Sequence, residues 1–168
     1  MGGRFLSLVE REGWEFVTRH SAAGVVAVVA VTEQSELVLV EEFRVPVGRM
    51  CISIPAGLAG DGEDNQDEAF EAAAERELLE ETGFSASSIE LLSHSPTSPG
   101  LTDEVISFFA AYGLKRVAEG GGVDNEQIVV HLAPMAELDE WLDARAAEGC
   151  VFDTKLFAGI YFAKKLLS

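Results

Sequence analysis

Positive charge is scarce in this chain: 12 Lys and Arg stand against 29 Asp and Glu in 168 residues, a formal net charge of −17. So negative a surface repels phosphate backbones and anionic bilayers, which argues against a nucleic-acid or membrane partner. Long apolar runs are missing too. The longest, Ala22 to Val31, covers about ten residues where a bilayer needs roughly 20. More than twenty residues of mixed charge precede it, with no basic n-region and no small-residue cleavage site close behind. The opening Met1-Gly2-Gly3-Arg4-Phe5-Leu6 lacks the Ser or Thr of a myristoylation signal. The expectation is a cytoplasmic protein. Cysteine is limited to Cys51 and Cys150, far apart and in no metal-like spacing, so both are expected as reduced, buried thiols. His20, His94 and His131 have no second ligand at short spacing, which argues against zinc.

What is present reads as an ordinary globular chain, 48% hydrophobic and 24% charged, without repeats or linkers. Arg4–Val9 and Trp14–Thr18 flank Glu10-Arg11-Glu12-Gly13, a hairpin pattern. Gly24–Thr32, rich in Val and Ala, predicts a strand buried on both faces. Glu36–Phe43 and Met50–Ile54 predict further strands, the second ending in a turn at Pro55-Ala56-Gly57. A loop rich in glycine and acid follows from Leu58 to Asn65. The clearest helix spans about Gln66 to Thr82, with Phe70, Ala74 and Leu78 as its buried stripe and Gly83 at its end. Strands are then expected at Ile89–Ser93, Val105–Tyr112 and Ile128–Leu132. Helices are expected at Pro134–Ala146 and, from an Asp cap, Asp153–Leu167. This order predicts one α+β domain over residues 1–168, built on a mixed sheet, with 1–20 as N-terminal antiparallel strands.

The acid is unevenly spread. Ten carboxylates fall between Asp61 and Glu81 against one cation, Arg76, and Glu77, Glu80 and Glu81 share one helical face. At about 5 Å and an effective dielectric near 20, each like-charge pair costs roughly 3 kcal/mol. The negative end of the helix dipole adds to that cost. Stability alone would favour Lys or Arg in these turns. Converging carboxylates instead suit a hard divalent cation that takes oxygen ligands.

The spacing is more specific. Gly62 is followed after five residues by Glu68, and after seven more by Arg76-Glu77-Leu78-Leu79-Glu80-Glu81-Thr82-Gly83-Phe84. This resembles the Nudix box, with Phe84 a slight variation at the final apolar place. The resemblance implies an αβα sandwich and hydrolysis, with Mg²⁺ or Mn²⁺, of a nucleoside diphosphate linked to another group. It implies Glu77, Glu80 and Glu81 as metal ligands. Arg76 would organise the carboxylates, with Glu68 as its partner or as a water-mediated ligand.

Val38-Leu39-Val40-Glu41-Glu42-Phe43-Arg44-Val45-Pro46 and Ile52-Ser53-Ile54-Pro55-Ala56-Gly57-Leu58 are similar to segments of ADP-ribose pyrophosphatases. So is Pro99, sixteen residues after Gly83 and followed by Gly100-Leu101-Thr102-Asp103-Glu104. The resemblance implies the Ala56 carbonyl as a further metal ligand, Arg44 as a clamp on the diphosphate and Glu104 in the substrate site. Relatives often carry glutamate where Ser53 stands, so nucleoside diphosphate sugars other than ADP-ribose stay in view. The catalytic base is expected from a late loop, Gly120-Gly121-Gly122-Val123-Asp124-Asn125-Glu126, with hinge glycines and either Glu126 or Asp124 as the base; Glu126 has the longer reach. Phe16, with Trp14, could stack on the nucleobase. The implied partner is a second copy of the chain, a homodimer joined through the N-terminal strands. Other readings are a nucleoside triphosphate or dinucleoside polyphosphate hydrolase, or a silent nucleotide-sugar sensor.

Overall fold

The computed structural model describes residues 2–20, 22–60, 68–123 and 127–168. β1 (Leu6–Arg11) and β2 (Trp14–Arg19) form an antiparallel hairpin closed at Glu12–Gly13. β3 (Gly24–Ala30) follows, then β4 (Glu36–Arg44), β5 (Arg49–Ser53) and β6 (Ala56–Ala59). α1 (Phe70–Thr82) leads into β7 (Phe84–Ser85), β8 (Ser88–Pro96), β9 (Val105–Tyr112) and β10 (Lys115–Arg116). β11 (Val129–Pro134), a single 3₁₀ turn, α2 (Leu138–Ala147), β12 (Val151–Phe152) and α3 (Thr154–Leu166) complete the chain.

Two four-stranded sheets carry the core, in the orders β6-β3-β9-β8 and β11-β4-β5-β12, and β7 pairs with β10. β3 runs parallel to β9 and antiparallel to β6, so the first sheet is mixed. β3 explains its own composition. Val26 and Val28 pack toward α1 with Ala73, Ala74 and Leu78, whereas Ala27 and Val29 pack toward α3 with Leu156 and Ala163. A strand covered on both faces has no polar positions to spare, hence the unbroken apolar run. The result is a layered α+β sandwich with the sheets between α1 and α3.

Several boundaries differ from the sequence reading for identifiable reasons. Glu68 and Ala69 precede α1 rather than joining it, because the Glu68 side chain turns back onto Arg76. Ala74 and Leu78 are fully buried, and Phe70 is half-buried. Ala56–Ala59 is a strand paired with β3, not a turn and loop. Pro134 ends β11 opposite Glu36 instead of opening a helix, and α2 starts after the 3₁₀ turn Met135–Glu137. Cys51 is buried and Cys150 partly so, and both thiols are free. Among the described residues no helix is long and apolar enough to cross a membrane.

α3 begins as its sequence predicts. Asp153 caps it, Oδ1 accepting from the Lys155 backbone N–H at 2.9 Å, while Lys155 Nζ bonds Asp153 Oδ2. Burial opposes ionisation of this carboxyl. The Lys155 charge and hydrogen bonds, with the Arg44 charge, outweigh it and hold the Asp153 pKa below its usual range. A depressed carboxylate stabilises the fold above its unfolded pKa near 3.9 and loses that contribution as pH falls through the folded value. Asp153→Asn, which keeps a capping oxygen, is therefore expected to cost on the order of 1 kcal/mol at pH 7. Urea titrations across pH should show the gap to the wild type closing in acid; a gap independent of pH would refute the charge argument.

Candidate functional site

The carboxylate-rich edge is assembled by Arg76. Its Nε and Nη2 donate to Glu68 Oε1 and Oε2 at 3.0 and 3.1 Å, a two-pronged pairing. Nη1 reaches both Glu77 Oε1 at 2.9 Å and Glu80 Oε2 at 3.0 Å, and Nη2 also donates to the Leu58 carbonyl at 3.0 Å. The Glu68 hydrogen bond, working against burial and helped by Glu77 and Glu80, raises the Arg76 pKa still further above its ordinary value. The same bond, opposed by burial and aided by the Arg76 charge, lowers that of Glu68. One permanent cation thus gathers three carboxylates.

Glu81 faces β6. It is 6% exposed, and its Oε2 accepts from the Ala56 backbone N–H at 3.0 Å. Glu77 lies against the same strand, where a Cβ at position 57 would stand 2.0 Å from Glu77 Cδ. Gly57 is therefore required by the close approach of a carboxylate rather than by a turn.

The end of α1 is secured from outside the helix. Gly83 N–H donates to the Leu79 carbonyl at 2.8 Å, Gly122 N–H to Glu80 at 3.0 Å and Gly121 N–H to Glu81 at 2.9 Å. These donors satisfy the last carbonyls and offset the unfavourable dipole beside Glu80 and Glu81. Gly120, Gly121 and Gly122 hold φ of 76°, 110° and 84°, and a Cβ on Gly120 would meet the Thr82 carbonyl carbon at 2.4 Å. The glycine run expected as a hinge is instead a strap laid over the helix terminus. Asp124 and Glu126, the candidate bases, lie outside the described residues, as does Gly62.

Whether this edge suits a divalent cation is a question of donors. Glu77, Glu80 and Glu81 offer only hard oxygens, as Mg²⁺ or Mn²⁺ prefers. Gly57 opens room for carboxylate at the strand. The residues fit such an ion by the chemistry of their donors. In the present arrangement Arg76 and the Ala56 N–H draw the carboxylates, and among the described residues no three acidic, His or Cys side chains are grouped to hold a metal.

The surface around the Ala56–Leu58 strand and the hairpin holds three clefts. One of about 300 Å³ is floored by Ala56, Gly57 and Leu58 and walled by Arg19, Arg44, Glu104, Asp153 and Lys155. A second, of about 410 Å³, shares Arg19 and Glu104 and adds Phe70, His94, Asp103 and Ser107. A third, of about 280 Å³, lies between the hairpin and the Pro99–Asp103 loop and is lined by Arg11, Trp14 and Phe16. The hairpin is tied to that loop by the Val17 N–H, which donates to the Leu101 carbonyl at 2.8 Å. Arg44 and Glu104 thus share one cleft with the Ala56 segment. Phe16 lies in a different one, stacked under Arg11 at 5.2 Å. Arg19, Asp153 and Lys155 were not legible as site residues. Arg19 ends β2 and Lys155 lies in the first turn of α3, so only the tertiary fold brings them together, although Asp153 was readable as a helix cap.

Comparison with known proteins agrees with this architecture. A family model for the NUDIX domain matches residues 18–151. The methanol dehydrogenase activator of Bacillus methanolicus is 38% identical over 113 residues, covering 67% of this chain and 57% of that protein. The ADP-ribose pyrophosphatase of Bacillus subtilis is 38% identical over 106 residues, 63% of this chain and 55% of that protein. The GDP-mannose pyrophosphatase of Cronobacter sakazakii is 34% identical over 132 residues, 73% and 63% respectively. The chain thus matches between about half and two thirds of the length of these relatives. A crystal structure of an ADP compounds hydrolase shares the fold, with TM-score 0.67 over 96% of this chain and 91% of that one at 19% identity. With the glutamate-bearing helix, its strap and its flanking strand all inside residues 18–151 that the family model matches, the chain belongs to the Nudix family.

Proposed function

We propose that the protein hydrolyses the diphosphate bond of ADP-ribose or a related nucleoside diphosphate sugar, giving a nucleoside monophosphate and a sugar phosphate. The observation that carries this reading is the juxtaposition of the Arg76-organised glutamates with a cleft holding Arg19, Arg44 and Lys155, joined through the Ala56–Leu58 strand. Relatives named ADP-ribose and GDP-mannose pyrophosphatases support the substrate class.

Nudix pyrophosphatases need a divalent metal. Here Glu77, Glu80 and Glu81, with the Ala56 carbonyl, would hold Mg²⁺ or Mn²⁺. When bound, such an ion neutralises diphosphate charge and lowers the pKa of a water molecule. The chain's own residues supply the rest. Arg76 keeps the glutamates converged, and the glycine strap fixes the turn that carries Glu80 and Glu81. Arg44 clamps the diphosphate, Glu104 stands at its rim, and Glu126 or Asp124 takes the proton from the attacking water. Phe16 and Trp14 offer stacking faces to the base. A homodimer through residues 1–20 is supported by the exposed Leu6 and Leu8, which share one face of the hairpin.

Incubation with Mg²⁺ and a panel of ADP-ribose, ADP-glucose, GDP-mannose and UDP-glucose should release phosphomonoesters from at least one; none from any would sink the proposal. Glu81→Gln is expected to lower kcat about a hundredfold or more while the protein stays folded, because the amide oxygen can still accept from Ala56 N–H. Near wild-type turnover would overturn the ligand assignment. Light scattering should give twice the chain mass of 18.0 kDa, and a value near 18.0 kDa would remove the dimer.

A further inference from the structure

We propose that the cleft of about 410 Å³ holds the sugar joined to the diphosphate, and that His94 is a specificity residue bonded to a hydroxyl of that sugar. This rests on the reading of the site given above and assigns a part of the substrate that the Nudix box does not touch.

Ser107 is out of place for packing. It is the single polar residue between Ile106 and Ala111 of β9, and it is only 3% exposed. It lies opposite Val26 of β3, on the face that α1 covers. A valine there would pack without needing a partner, whereas a buried hydroxyl costs free energy until it is hydrogen-bonded. Its partner comes from the edge strand. His94 faces Ser107 in the β8–β9 register, and His94 Nδ1 and Ser107 Oγ stand 3.0 Å apart. The hydroxyl therefore fixes one edge of the imidazole. Nε2, the other ring nitrogen, has no hydrogen bond among the described residues, and His94 is exposed and lines the cleft. A serine buried to hold an exposed ring is arranged for what that ring meets.

The lining selects the chemistry of the ligand. Asp103 and Glu104 bring two carboxylates, and the guanidinium of Arg19 is already paired with Glu104 at 3.0 Å. An anion is disfavoured there, so this is no second phosphate site. Carboxylates only accept hydrogen bonds, so the ligand must donate. Nε2 donates in one tautomer and accepts in the other, according to the direction of the Ser107 bond. A hydroxyl suits both cases, because it does both. The remaining wall, Ala22 to Val25 with Phe70, is apolar and close-set: a Cβ on Gly24 would stand 3.0 Å from the Phe70 ring. Such a wall offers a surface to the carbon skeleton of a ring. Several hydroxyls on a carbon ring describe a sugar; an amine would satisfy the carboxylates but gain little from the apolar wall. Position agrees with chemistry. The cleft shares Arg19, Val25 and Glu104 with the one floored by Ala56, Gly57 and Leu58, so a sugar here adjoins a diphosphate held there. The faces of Trp14 and Phe16 lie in the third cleft, which leaves the base a place of its own.

Titration calorimetry without metal, where no turnover consumes the ligand, compares each nucleoside diphosphate sugar of the panel with its parent ADP, GDP or UDP. The wild type should bind at least one sugar-bearing ligand more tightly than its parent. His94→Phe, and His94→Ala without the bulk of a second ring, should weaken that ligand about fivefold, the worth of one hydrogen bond, and leave the parent unchanged. Ser107→Ala, which frees the imidazole, should weaken it in the same sense, and Ser107→Thr should restore it. Three results would each overturn the proposal: no wild-type preference for any sugar-bearing ligand, its unchanged affinity in the His94 variants, or a matching loss for the parent at unchanged melting temperature. If no sugar of the panel is hydrolysed, the hydrolase reading fails, while the paired titrations still decide what the cleft holds.

Discussion

Arg76 is the constraint on which the rest of this edge depends. Glu68, Glu77 and Glu80 crowd one side of the fold, and their mutual repulsion would splay them apart without a cation at the centre. A guanidinium can do this where an ammonium cannot, because its donors diverge in a plane and serve Glu68 from two prongs while leaving Nη1 for two further carboxylates. Its reach to the Leu58 carbonyl ties the cluster to β6. The helix, the segment before it and the strand beneath it are thereby fixed by one side chain. The net charge of the group remains negative, so its arrangement is held together yet still attracts a cation.

That arrangement requires the backbone to come close at two places. At Gly57 the strand gives up its side chain to make room for the Glu77 carboxylate, and on the next residue back the Ala56 N–H anchors Glu81. At the other end, the strap from Val117 to Gly122 approaches the helix terminus more closely than a side chain would allow. The two contacts have a common effect. They supply backbone N–H groups to regions of excess negative charge, partial positive charges that lose no freedom when they act. The glutamates can then occupy the negative end of a helix dipole, which a free helix would not tolerate well.

These features explain what could be read in advance. α1, β3, β9 and the cap of α3 follow from local pattern, since periodicity, an apolar run and an Asp before a helix carry their meaning within a few residues. The glutamates were legible because their spacing is the signal. β6 was not: Ala56-Gly57-Leu58-Ala59 has a turn's composition, and only pairing with β3 makes it a strand. The glycines of the strap suggested mobility for the same reason. A glycine chosen for close approach is indistinguishable in sequence from one chosen for freedom. Arg19 and Lys155 had no local signature, because what matters about them is the company the fold gives them.

The excess of acid and the three paired cations of the cleft are compatible because they act over different distances. At physiological salt the Debye length is about 8 Å, so acids scattered over the surface do little at the cleft floor. Their effect falls on encounter, slowing the approach of an anion, rather than on contact. Within the cleft, the carboxylates paired with Arg19, Arg44 and Lys155 matter more. Were they absent, three cations in about 300 Å³ would repel one another and turn outward to water. With them, the cations stay inward and the cleft is near neutral, so an anionic ligand gains only the difference between its own hydrogen bonds and those it weakens. In the function proposed above, selectivity would follow from that difference. A single phosphate replaces one carboxylate with little gain, whereas two linked phosphates satisfy several donors for one loss of translational freedom.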